Sequence, residues 1–137
     1  MMRATHNPRR RPRRTSSRIL ASGVGMNASS RPSSLLAYDL MLEALEELPL
    51  DEIGKHSREL REQLLRAAIS VGLNLTEGQG RSGGHRTQFR GIALGSLYEC
   101  KSALEMAMAL RFVDRARAQR VHAKLHRVGG LIYGLLR

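Results

Sequence analysis

The stretch from Ser57 to Glu99, SRELREQLLRAAISVGLNLTEGQGRSGGHRTQFRGIALGSLYE, decides the fold. It reads as two long helices joined by a glycine-rich turn. Ser57 is a fitting N-cap for a helix that runs to about Gly78. Leu60, Leu64, Ala67, Ala68, Val71 and Leu75 fall on one wide apolar face. Leu65, Ile69 and Leu73 make a second stripe nearly opposite, and Gln63, Arg66, Ser70, Asn74 and Glu77 share the polar arc between them. A helix apolar on two sides needs its own bundle on one side and another subunit on the other.

The turn Gln79-Gly80-Arg81-Ser82-Gly83-Gly84 carries the glycines that a helix end and tight reversal require. A glycine-rich lead into a helix can cradle phosphate, but this one follows a helix rather than a strand and lacks the Walker and dinucleotide spacings. The next helix spans about Gly84–Leu110, with Phe89, Ala93, Leu97, Cys100, Leu104, Ala107 and Met108 as its core face. Gly91, Gly95 and Ser102 share another face, where small side chains admit a neighbouring backbone.

Outward from this hairpin, a first helix over about Ser34–Leu48 is capped by Ser33 or Ser34 and ended by Pro49. Asp39, Glu43, Glu46 and Glu47 form its acidic strip. A helical turn at Asp51-Glu52 is compatible with the connection that follows. A last helix, about Asp114–Leu136, has Asp114 as N-cap and Val121, Leu125, Val128, Ile132 and Leu135 as core stripe. Its Arg117, Arg120, Lys124 and Arg127 line a basic strip, which reads either as a complement to the acidic strip or as a nucleic-acid surface. The sum is an all-α, up-down-up-down antiparallel four-helix bundle over residues 34–137.

Residues 1–33 differ in kind: eight arginines, no acidic residue and only scattered apolar ones. Such a leader cannot bury enough surface to order itself. It reads as a phosphate-neutralising arm, as an imitation of a targeting peptide, or as sequence upstream of a start at Met26. Residues 34–137 hold the other 15 basic groups against all 12 acidic ones, so the bundle itself is only mildly basic. Three lysines among 23 basic residues is an arginine bias that a GC-rich coding sequence also produces.

Functional chemistry is sparse. One cysteine, Cys100, excludes an internal disulfide and fits a reduced cytoplasm. No apolar run is long enough to cross a membrane. His122 and His126, four apart, lack a carboxylate at ligand spacing in sequence, and Arg115 shares their face. Glu77, His85 and Glu99 are candidates to converge near the turn as acid/base groups, while Asn74, Glu77, Arg81 and Glu99 read better as a hydrogen-bonded junction that fixes the turn. No catalytic set, metal set, cofactor motif or small-molecule substrate is expected.

The hairpin resembles the four-helix-bundle family of proteins encoded in 23S rRNA intervening sequences. The pattern is Q-x-x-R-A-x-x-S-x-x-x-N-x-x-E-G-x-x-R followed by F-x-x-I-A-x-G-S-x-x-E. Its positions here are Gln63, Arg66, Ala67, Ser70, Asn74, Glu77, Gly78, Arg81, Phe89, Ile92, Ala93, Gly95, Ser96 and Glu99. Arg90 departs from it, standing where an apolar residue is usual, and Gly72 sits mid-helix. The resemblance implies a non-catalytic homo-oligomer, typically a pentameric ring. A related branch comprises accessory proteins of diversity-generating retroelements, basic rings that associate with a reverse transcriptase and its RNA. The expected partners are therefore RNA, a reverse transcriptase or another ribonucleoprotein. Arg81, Arg86 and Arg90 at the turn, with the strip Arg117, Arg120, Lys124 and Arg127, are the candidate surface. Gln63, Arg66, Asn74, Glu77, Gly78, Gly95, Ser96 and Glu99 are the structural motif.

Overall fold

The structure, a computed structural model, describes residues 32–137. The Arg-rich leader, expected to be disordered, lies outside the described residues. Five helices follow in order: α1 (Ser33–Glu47), α2 (Leu50–Gly54), α3 (Arg58–Gln79), α4 (Gly83–Ala109) and α5 (Arg115–Leu136). The four long ones form the expected up-down-up-down bundle, in which α1 packs on α3 and α5, and α4 on α3 and α5. The fifth, α2, is the helical turn allowed for at Asp51-Glu52, extended to one and a half turns after Pro49. It buries Ile53 completely.

Local signals place the helix ends. Ser57 Oγ accepts from the Leu60 amide at 3.1 Å, and Asp114 Oδ2 accepts from the Arg117 amide at 2.9 Å, so both expected caps form. The start of α1 differs. Pro32 is the capping position and makes no side-chain cap; Ser34 lies inside the helix, where its Oγ accepts from Gln79 Nε2 at 2.7 Å. That bond ties the beginning of α1 to the end of α3. The tight reversal after α3 runs through Gly83 at φ 57°, a left-handed conformation that suits glycine.

The core runs the length of the bundle. Met41, Leu64, Val71, Leu97, Leu104, Val121, Leu125 and Ile132 are all buried, each side chain contributing ~1.5–3 kcal/mol by leaving water. Gly129 allows α4 and α5 to approach: a Cβ there would stand 2.7 Å from Leu97 Cδ2. The acidic strip of α1 is not simply solvated, because Asp39 is buried where α1 meets its neighbours. On the outer side of α4 the outcome is reversed. Gly91 and Gly95 face open space, with no atom within 4 Å of an added Cβ. Among the described residues no other helix backbone approaches them.

Between α4 and α5 the chain turns through a Schellman motif. The Phe112 amide bonds the Ala107 carbonyl at 2.9 Å and the Arg111 amide bonds Met108 at 3.1 Å. The left-handed position is filled by Arg111, at φ 60°, rather than by glycine. This turn holds Phe112 against His56, the rings stacked at 5.1 Å, and so clamps the two loops at that end of the bundle.

Candidate functional site

Register between α3 and α4 is set by Ser70 and Ser96, whose hydroxyls lie 2.7 Å apart. Asn74 Nδ2 donates to both the carbonyl and the hydroxyl of Ser70, at 2.8 and 3.2 Å. The family-like motif then divides by burial. Ala67, Gly78 and Ala93 are buried and let the helices close on each other. Gln63, Arg66, Glu77, Gly95 and Glu99 are exposed on the outer side of the hairpin. Six of the seven exposed large apolar residues share these two helices and their end: Ile69, Leu73, Ile92, Tyr98, Met106 and Leu110. The second stripe read on this helix, Ile69 and Leu73 above all, therefore has no partner within the described residues of the chain.

At the end away from the glycine turn, the α3–α4 groove deepens into an apolar cleft of about 520 Å³. Leu60, Tyr98, Met106, Leu110 and Phe112 line it, and Glu59, Gln63 and Glu99 stand at its rim. The volume is that of an ordinary ligand or side-chain pocket. Neither Glu59 nor Glu99 joins an ion pair among the described residues. Behind the rim, the Cys100 thiol is buried. Burial first, then the Glu99 charge, pushes its pKa up to about 12, which keeps it protonated and inert.

The proposed junction of Asn74, Glu77, Arg81 and Glu99 does not form as one cluster. Glu77 and Arg81 meet in an exposed pair at 2.9 Å, and Asn74 turns to Ser70. Glu99 sits roughly 15 Å further along the bundle, from the helical rise and the Ser70–Ser96 register. For the same reason Glu77 and Glu99 do not converge with His85. His122 does find a carboxylate, though from the neighbouring helix: Glu105 Oε1 lies 3.0 Å from its Nε2. Lys101 Nζ occupies the corresponding position beside His126 Nδ1, at 3.1 Å. Among the described residues no group of three or more His, Cys, Asp or Glu side chains is placed to hold a metal ion. Sequence spacing missed both contacts because they depend on the α4–α5 register.

The basic residues fall into two unequal sets. On α5, Lys124 Nζ reaches Glu47 at 2.6 Å and Glu43 at 3.8 Å, and Arg117 pairs with Glu52 at 3.3 Å. Arg120 shares a groove with Glu46 and Glu47, while Arg127 lines one with His122, His126 and Arg115. Much of this strip thus faces the acidic side of α1 and α2. At the glycine turn the balance is different. Arg81 stacks over Phe89 at 5.9 Å, and Arg86 Nε donates to the Arg81 carbonyl at 2.8 Å. Arg90 packs beside Gly78, and its pKa is lowered by burial first and then by the Arg86 charge. The α4–α5 register brings Arg137 to the height of Arg90, where it lies over Tyr133 at 5.1 Å. Over residues 32–38, 74–92 and 129–137, the segments at this end, Glu77 is the one side-chain carboxylate.

Fold and surface together define a small four-helix bundle with an unpartnered hairpin face and an arginine-bearing end. Residues 36–134 match the 23S rRNA-intervening sequence protein family, and the chain belongs to it. A crystal structure of a protein of unknown function from the S23 ribosomal protein family of Bacteroides thetaiotaomicron has the same fold. It superposes with a TM-score of 0.70 at 18% identity, over 77% of this chain and 98% of that one. Comparison with curated proteins gives no match. Among the described residues no helix is long and apolar enough to cross a membrane.

Proposed function

We propose that this protein is a non-enzymatic homo-oligomeric bundle that binds RNA, free or within a ribonucleoprotein, through its arginine-bearing end. The observation that carries the reading is the charge imbalance at the glycine turn. Arg86 and Arg90 are one turn apart on α4 with no carboxylate between them, an arrangement that repels itself unless an anion is present. The Gln79–Ser34 bond brings the start of α1 to this same end of the bundle, beside the turn that carries Arg81, Arg86 and Arg90. Guanidinium groups pair with phosphate oxygens in fork geometry. The α5 strip contributes less, because two of its members, Arg117 and Lys124, have carboxylate partners on α2 and α1, whereas at the turn Arg81 alone has one, in Glu77.

The test is binding of single-stranded RNA by the full chain across a salt series. Replacing Arg81, Arg86 and Arg90 with alanine reduces the slope of log K against log salt by about 2, the value for three lost phosphate contacts on a single strand. Replacing Arg117, Arg120, Lys124 and Arg127 reduces it less. Equal or greater loss from the α5 strip places the site there instead. No RNA affinity at all, with assembly intact, makes the protein a protein-binding scaffold.

A further inference from the structure

Among the seven exposed large apolar residues of the described chain, Tyr133 alone lies on α5, with 53% of its surface open to solvent. The α4–α5 contacts fix what stands around it. Lys101 meets His126 at 3.1 Å and Glu105 meets His122 at 3.0 Å, so the two helices pass in antiparallel register. Seven residues past His126, Tyr133 is level with Leu94, and Arg90 stands one turn further, about 6 Å along the axis. Arg90, Leu94 and Lys101 recur at i, i+4 and i+11, and His126, Tyr133 and Arg137 at i, i+7 and i+11. Both sets therefore line one seam between the helices. The seam is free of acid for most of its length. No acidic residue occurs in α5, and Glu99, nine residues after Arg90, falls on the far side of α4. The first carboxylate along it is Glu105, about 22 Å from the level of Arg90.

We infer that Tyr133 is a base-stacking platform, on which a nucleobase of single-stranded RNA lies while Arg90 and Arg137 pair with the phosphates beside it. This rests on the RNA reading above and specifies the strand: single, with a base turned toward the protein. The ring is built for the task. Arg137 stands over it at 5.1 Å, which keeps a cation against the electron-rich face. A helical side chain leans toward the preceding turn, and there Tyr133 meets Gly130, which has no side chain. A Cβ added at Gly130 or at Gly134 would find no atom within 4 Å, so the helix leaves the flank of the ring open. A base is a flat, apolar-faced partner for such a ring, and stacking tolerates any of the four because each has a π-face. Duplex RNA keeps its bases stacked inside the helix and offers none of them. Lys101 extends the cationic track along the seam, about 16 Å from the level of Arg90, so the strand is guided along the bundle axis.

The experiment measures the affinity of the full chain for three probes of equal length across a salt series. The probes are single-stranded oligoadenylate, its duplex with oligouridylate, and an abasic ribose-phosphate oligomer. Tyr133→Ala and Tyr133→Leu weaken oligoadenylate binding about tenfold with the salt slope unchanged, because a stacked base and not a phosphate contact is lost. Both variants bind the duplex and the abasic oligomer as wild type does. Tyr133→Phe retains the ring and binds all three probes like wild type. Arg90→Ala instead lowers the slope on the single strand by about 0.7. Leucine keeps bulk and helix propensity at an exposed site, so the helicity and thermal midpoint of Tyr133→Leu stay near wild type. Tyr133 variants that bind oligoadenylate as wild type does, or that lose affinity equally for all three probes, overturn the platform while the RNA reading stands. A wild type that binds none of the probes overturns the RNA reading itself.

Discussion

Ser70 and Ser96 face each other across α3 and α4 with their hydroxyl oxygens 2.7 Å apart, and this single contact sets the height of every motif residue on the hairpin. It places Arg66 within about 2 Å of the level of Glu99 along the bundle axis. Asn74 supports it by bonding Ser70 from one turn further on.

Removing either hydroxyl leaves its partner half-satisfied in a partly buried groove. Ser70→Ala or Ser96→Ala alone costs about 1 kcal/mol of unfolding free energy, and the double variant costs little more than either one. Urea melts of the four proteins read this directly. Additive losses would mean that the two hydroxyls act independently.

The turn after α4 offers a stabilising change. Arg111 occupies the left-handed position of the Schellman motif at φ 60°, where a side chain is strained and glycine is not. Arg111→Gly therefore stabilises the fold by about 1 kcal/mol, seen as a rise in thermal midpoint. Arg111→Val, β-branched at the same angle, has the opposite effect.

Cys100 makes stability fall at alkaline pH. Burial and the Glu99 charge raise its pKa from the ordinary 9.0 to about 12, so the folded chain holds the thiol proton more tightly than the unfolded chain does. That contribution is complete below about pH 9 and is lost as pH rises toward 12. Cys100→Ala is less stable than wild type at neutral pH, and the gap narrows at about pH 10.5. The native thiol is also slow to alkylate at neutral pH. Rapid alkylation without unfolding would show that the thiol is neither buried nor protonated as described.

How much of this was legible beforehand follows from the range of each interaction. The caps at Ser57 and Asp114 and the core face of Leu64, Val71 and Leu75 depend on neighbours within a turn or two, and they stand where the periodicity puts them. The Ile69–Leu73 stripe was readable for the same reason. The Glu105–His122 contact, the Arg117–Glu52 pair and the separation of Glu99 from Glu77 depend on the heights at which helices pass each other. No spacing within one helix encodes those heights. Ser34 was readable as polar at a helix start, but its bond to Gln79, 45 residues away, was not.

Whether another copy covers the hairpin face is tested most directly by the mass of the full chain in solution. Multi-angle light scattering at micromolar concentration is predicted to return a single species at an integral multiple of the chain mass. The multiple should fall when Leu73 becomes aspartate. A species at one chain mass across the concentration series would contradict it, leaving Ile69, Leu73, Ile92 and Met106 exposed on a monomer.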